Sequence, residues 1–207
     1  MKHRVRAIYS VLAATALALL FNAVPGTAQS KHTETATPAA SLTHYRPDPL
    51  TLLLETQGDW EGELYYLDYQ SGQRFAIPMR VTATATADGA TLTRAITYTD
   101  PGNLVYAQQL LTVSEDQTVL KESYFRERNG EFFSSQLTDV TQSDVNQWLI
   151  AFHEQGEDDG RPAEIRHEWQ REGDALLTRK LVRFADQPDA DFIERNGSRL
   201  VLQRSSP

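Results

Sequence analysis

Three features of the chain predict an all-β protein, an antiparallel up-and-down β-barrel of about ten strands with a short N-terminal helical turn. Hydrophobicity alternates with period two from residue 59 onward, turn pairs recur at hairpin spacing, and no segment is long enough to form a crossover helix. Short connections make consecutive strands antiparallel neighbours. A meander this long removes its open edges by closing on itself. A two-sheet sandwich is the other architecture that such a strand count allows.

The N-terminus reads as a targeting segment, to be set aside before the fold is considered. Lys2, Arg4 and Arg6 precede an apolar run from Ala7 to Phe21, and Gly26-Thr27-Ala28 supplies small residues for cleavage before Gln29. A membrane anchor is the alternative, but the run is short for a span and Asn22, Pro25 and Gly26 interrupt its end. The expectation is a signal peptide over residues 1–28 and a periplasmic or secreted product. With no cysteine there is no site for a thioether-linked lipid and no disulfide. Cleavage would remove three basic residues and no acidic one, so the net charge of −8 would become −11. Such a surface repels phosphate backbones and anionic lipid headgroups, which disfavours nucleic-acid and peripheral-membrane roles, and no integral membrane segment is expected after cleavage.

Residues 29–47 are rich in Thr, Ala, Ser and Pro without apolar periodicity, and read as a flexible lead-in to a domain over 48–207. Asp48-Pro49 combines a cap with a first-turn proline, so "LTLLLET" forms one or two helical turns that Gly58 ends. In the first strand Trp60, Leu64 and Tyr66 share one face, with Glu61 and Glu63 opposite. The second has Phe75, Ile77, Met79, Val81, Ala83 and Ala85 inward, and Pro78 within it implies an edge or a bulge. The same rules place strands near 59–70, 74–87, 90–100, 103–114, 117–128, 131–140, 146–155, 163–172, 175–184 and 191–204. Ser71-Gly72, Asp88-Gly89, Pro101-Gly102 and Asn129-Gly130 mark turns, and Asn196-Gly197 breaks the last strand. Longer connections are expected from Val140 to Val145, Gly156 to Pro162 and Ala185 to Ala190.

Gly58-Asp59-Trp60, after a helical turn and before a long strand, resembles the Gly-X-Trp signature of lipocalins and the wider calycin group. The resemblance implies that Trp60 plugs the closed end of the barrel while an arginine from a late strand packs across its ring. Arg195, Arg199 and Arg204 are candidates for that arginine. Ten strands exceed the eight of lipocalins, and the chain offers no cysteine to tie its C-terminus to the barrel. The layout is closer to bacterial lipocalin-like proteins of unknown activity, and to the ten-stranded barrels of fatty-acid-binding proteins and nitrobindins.

Catalytic signatures are missing: there is no cysteine, no Gly-X-Ser-X-Gly and no phosphate-cradling glycine pattern. The acidic stretches "GEDDG" and "DQPDAD" lack calcium-loop spacing and read as solvated turns. His153 and His167 lie on neighbouring strands, but a metal site needs more ligands than these two. Resemblance to nitrobindins makes either a possible axial ligand for haem. What remains is a polar and aromatic set on inward faces: Tyr66, Arg94, Tyr98, Tyr124 and Arg126. A charged group among apolar neighbours needs a partner or a ligand, and Glu122 is available as a partner. The function expected is binding of a small amphiphilic or hydrophobic molecule inside the barrel, without a cofactor. Two alternatives stand beside it: a haem or tetrapyrrole barrel with redox or isomerase activity, and a ligand-free envelope-associated interaction module with a filled interior.

Overall fold

A computed structural model describes residues 47–68, 71–100 and 102–204. The expected signal segment, the lead-in up to residue 46 and Pro101 lie outside the described residues. Helix α1 (Pro49–Leu54) starts as its residues dictate. Pro49 needs no amide partner in the first turn, and the Asp48 carboxylate accepts from Leu50 N at 3.0 Å and from Thr51 Oγ1 at 2.7 Å.

Ten strands follow: β1 (Gly58–Leu67), β2 (Arg74–Ala85), β3 (Leu92–Asp100), β4 (Asn103–Val113), β5 (Val119–Arg126), β6 (Asn129–Asp144), β7 (Gln147–Asp158), β8 (Arg161–Glu172), β9 (Ala175–Phe184) and β10 (Ile193–Gln203). Each pairs antiparallel with its sequence neighbours, and β1 pairs with β10 to close the barrel. The predicted fold class is therefore the observed one, and closure rules out the open sandwich.

Four local expectations are corrected. The β5–β6 turn is Glu127-Arg128, both at positive φ, and Asn129-Gly130 already belong to β6. Gly130 serves packing there: a Cβ on it would stand 2.9 Å from the Phe125 ring. The 140–145 and 156–162 connections are tight, because β6 runs to Asp144 and β7 to Asp158, where Asp159-Gly160 turns the chain. Asn196-Gly197 does not break β10; a register shift between Glu194 and Asn196 leaves Arg195 as the extra residue, and the strand continues. Nor is "GEDDG" wholly a solvated turn, since Asp158 is buried. Pro78 lies just past the end of the β2–β3 ladder, which begins at Met79 and Tyr98, so it occupies a local edge.

The core gathers at the α1 end. Leu52 and Leu53 pack there with Trp60, Val81, Leu92, Leu111, Trp148 and Leu200. Trp60 Nε1 donates to Thr56 O at 2.9 Å, which ties β1 to the chain leaving α1. The other end is the mouth. There a smaller apolar cluster of Ala163, Ile165, Val182 and Phe184 holds β8 to β9.

Candidate functional site

Alternation places one polar side chain after another on the inner faces, midway between the apolar floor and the mouth. On β3, Arg94 lies between Leu92 and Ile96 and is only 4 % exposed. Its Nη1 donates to Gln109 Oε1 at 2.7 Å, and Gln109 Nε2 donates to Glu122 Oε1 at 2.7 Å. The guanidinium also lies over the Trp169 ring, 4.7 Å from its centroid. Glu122 thus reaches Arg94 through Gln109 and not by direct pairing. Arg94 Nε has no hydrogen-bond partner, and among the described residues no carboxylate lies within ion-pair distance of Arg94. Loss of water around the buried charge pulls the Arg94 pKa down to about 10, against the opposing influence of Tyr98 and Glu122.

Tyr98 and Tyr124 face each other across the lumen wall with hydroxyls 3.2 Å apart. Burial pushes both upward, and the Tyr124 hydroxyl pushes Tyr98 further. Arg126 and Tyr66 both lie within electrostatic reach of Tyr124, as does Glu131 on β6. One carboxylate oxygen of Glu131 is buried without a partner. Tyr66, Tyr98, Tyr124 and Arg126 thus lie together toward the mouth, while Arg94 sits deeper, within electrostatic reach of Tyr98 and against the Trp169 ring.

The histidines separate. His153 points outward, its Nε2 2.9 Å from Glu164 Oε1, so the two histidines cannot share a metal. His167 faces inward, and its Nε2 lies 3.2 Å from Glu154 Oε1, while Ser135 Oγ donates to Glu154 Oε2 at 3.2 Å. Burial alone would raise the Glu154 pKa; the His167 bond and charge, with Ser135 and Lys180, outweigh it and hold the carboxyl below its ordinary range. Among the described residues no group of three or more His, Cys, Asp or Glu could hold a metal ion.

Asp158 completes the inner belt, accepting from Lys180 Nζ at 2.8 Å and from Arg195 Nε at 2.8 Å. Sequence reading passed over Gln109, Ser135, Glu154, Asp158 and Lys180. A signal existed for two of them, because Glu154 and Asp158 continue the period that runs through Trp148, Ile150 and Phe152.

At the floor the arginine on Trp60 is Arg171 of β8, 5.1 Å from the indole centroid. Its Nη1 and Nε donate to Glu55 O at 2.7 Å and Gly173 O at 2.9 Å. None of the three sequence candidates takes that place: Arg195 bonds Asp158, Arg199 lies by the Tyr65 ring, and Arg204 pairs with Asp174. Trp148 and Trp169 are both buried.

His167, though inward, keeps 34 % of its side-chain surface accessible. Two concavities, of about 430 and 500 Å³, lie away from the belt, one over Gly62 and Pro78 and the other beside Pro47 and Val140.

No protein-family model matches the sequence, and no curated protein does. Among solved structures the chain is similar to the crystal structure of Rv2717c from M. tuberculosis, with 14 % identity and a TM-score of 0.51. The match covers 75 % of this chain and 97 % of that one. It is a likeness of fold.

Proposed function

We propose that the protein is an exported, lipocalin-like barrel that binds one small molecule in its lumen, with an apolar body and an anionic or carbonyl head. The observation that carries this reading is Arg94, a buried guanidinium with no carboxylate at ion-pair distance among the described residues and its Nε–H unmatched. A buried donor left unsatisfied is unfavourable by roughly 1–3 kcal/mol, and a ligand oxygen would remove that penalty. The apolar floor suits a hydrocarbon body, while Tyr98, Tyr124 and Arg126 add polar groups on the mouth side.

Titration with a fluorescent fatty acid tests it. Wild type should bind, and Arg94→Met and Arg126→Met should each weaken binding while keeping the fold. Equal affinity in all three proteins, or no binding by wild type, removes the support. The haem alternative now rests on His167 alone, whose Nε2 is already engaged by Glu154. An absorption spectrum of protein purified from its own host, with or without a Soret band, decides that alternative.

A further inference from the structure

The outer surface of the barrel is divided by charge. On β8 and β9, outward Glu164, Arg166, Glu168, Arg179 and Arg183 form a lattice of ion pairs. Outward positions on β3 to β6, from Thr93 to Gln136, hold Thr, Ser, Gln and apolar residues, with Lys121 as their one charge. In a chain with 28 acidic residues, the outward strand positions from Thr93 to Gln136 hold no carboxylate; Glu127 stands at the β5–β6 tip and Asp139 further along β6. Large exposed hydrophobic residues are also unevenly placed. Phe75, Leu104, Tyr106, Phe125, Phe132 and Ile193 all lie at the mouth end of their strands. Leu104, Tyr106, Phe125 and Phe132 are outward neighbours on β4, β5 and β6.

The rings are presented to solvent. Phe132 is 72 % exposed and Tyr106 65 %. Phe125 lies across Gly130 and meets Phe132 edge-on, with centroids 5.8 Å apart. This packing fixes two apolar rings on the rim. Exposed apolar clusters of this kind mark contact surfaces.

We propose that this aromatic rim docks on a zwitterionic lipid surface, with the barrel tilted onto the mouth ends of β4–β6. The distribution along the strands favours lipid over a second copy of the chain. An interface between copies is apolar at its centre and polar at its border. Here the outward positions toward the floor are mostly polar, through Thr93, Thr112, Lys121, Ser134 and Gln136, and the large apolar side chains stand toward the mouth, opposite Thr97, Gln108 and Ser123. Phe and Tyr at one edge, with hydroxyls and amides behind, match the step from acyl chains to headgroups. The acidic stretches 157–160 and 186–191 stand at the same end on the β7–β10 side, which sets the tilt and disfavours anionic lipid. Net charge alone argues against any membrane surface; its placement on the molecule removes that argument for an uncharged one.

The test is co-sedimentation with phosphatidylcholine vesicles, with no lumen ligand added, so that its outcome is independent of what the barrel binds. Wild type should partition onto the vesicles. Tyr106→Ser/Phe132→Ser should lower the partition coefficient by about tenfold or more, since two rings leave the interface. Val145→Ser/Val201→Ser, which removes exposed apolar groups away from the rim, should leave it unchanged. Circular dichroism confirms that the variants fold, and sedimentation velocity of each protein reports its oligomeric state. Three results would overturn the proposal: no partition by wild type, an equal loss in both double variants, or a wild-type dimer that the rim substitutions alone dissociate.

Discussion

At Gly62 an added methyl group would stand 1.9 Å from the carbonyl oxygen of Arg199, a backbone atom that can retreat only if β1 and β10 separate. Gly62→Ala should therefore destabilise the barrel at its closing seam by at least the roughly 1–3 kcal/mol usual for overpacking. An unchanged denaturation midpoint would show that the seam is looser than drawn. Gly58, on the other side of Trp60, has φ +126°, where L side chains are strained. The two glycines that frame the tryptophan thus have different causes, one conformational and one steric. Between them Trp60 is buried, bonded to Thr56 and covered by Arg171. Trp60→Ala should cost about 3–5 kcal/mol, the range for a large buried aromatic. Arg171→Met keeps bulk over the indole but abandons two backbone carbonyls, and should cost about 1.5–3 kcal/mol. Urea unfolding of the two variants separates these effects; an Arg171→Met protein as stable as wild type would reduce Arg171 to a bystander.

Among the elements, the β5–β6 hairpin shows both what period and turn rules can read and where they fail. Alternation located all ten strands, because each has one face on the core or lumen and one on solvent. Asn129-Gly130 looks like the turn, yet the tip is Glu127-Arg128 at φ 50° and 71°. Local sequence suggested the wrong pair because Gly130 is needed under the Phe125 ring, a cross-strand requirement invisible along the chain. The bulge at Arg195 is of the same kind, placing a guanidinium on Asp158 of β7. Two non-glycine residues at positive φ are a removable strain. Glu127→Asn/Arg128→Gly should stabilise the protein by about 1–2 kcal/mol, since that pair suits a two-residue hairpin turn. Chemical denaturation measures it directly. A variant no more stable than wild type would mean that the tip side chains contribute contacts worth as much as the strain.

Across the whole molecule, the wall of the lumen carries a belt of polar residues contributed by successive strands. Arg94, Tyr98, Tyr124 and Arg126 were legible because each interrupts an apolar alternation at an inward position. Their partners were not: Gln109 is an unremarkable amide in its own strand, and Lys180 and Asp158 gain meaning only through the register that joins β7, β8 and β9. That register also makes the belt's acids unequal. His167 and Ser135 hold Glu154 low, whereas burial holds Glu122 high despite the Gln109 bond and the charges of His167 and Arg94. The sign for Glu122 follows from linkage. A raised folded-state pKa means that the native protein keeps a proton which the unfolded chain has released, so native stability falls as pH rises through the ordinary carboxylate range and levels off above the folded value. Glu122→Gln retains an acceptor for Gln109 Nε2 and cannot ionise. Its thermal midpoint should match that of wild type near about pH 4 and exceed it increasingly as the pH rises above the ordinary carboxylate range. Were wild type the more stable protein at the higher pH, Glu122 would be an ionised counter-charge for Arg94, and the guanidinium would have no need of an anionic ligand.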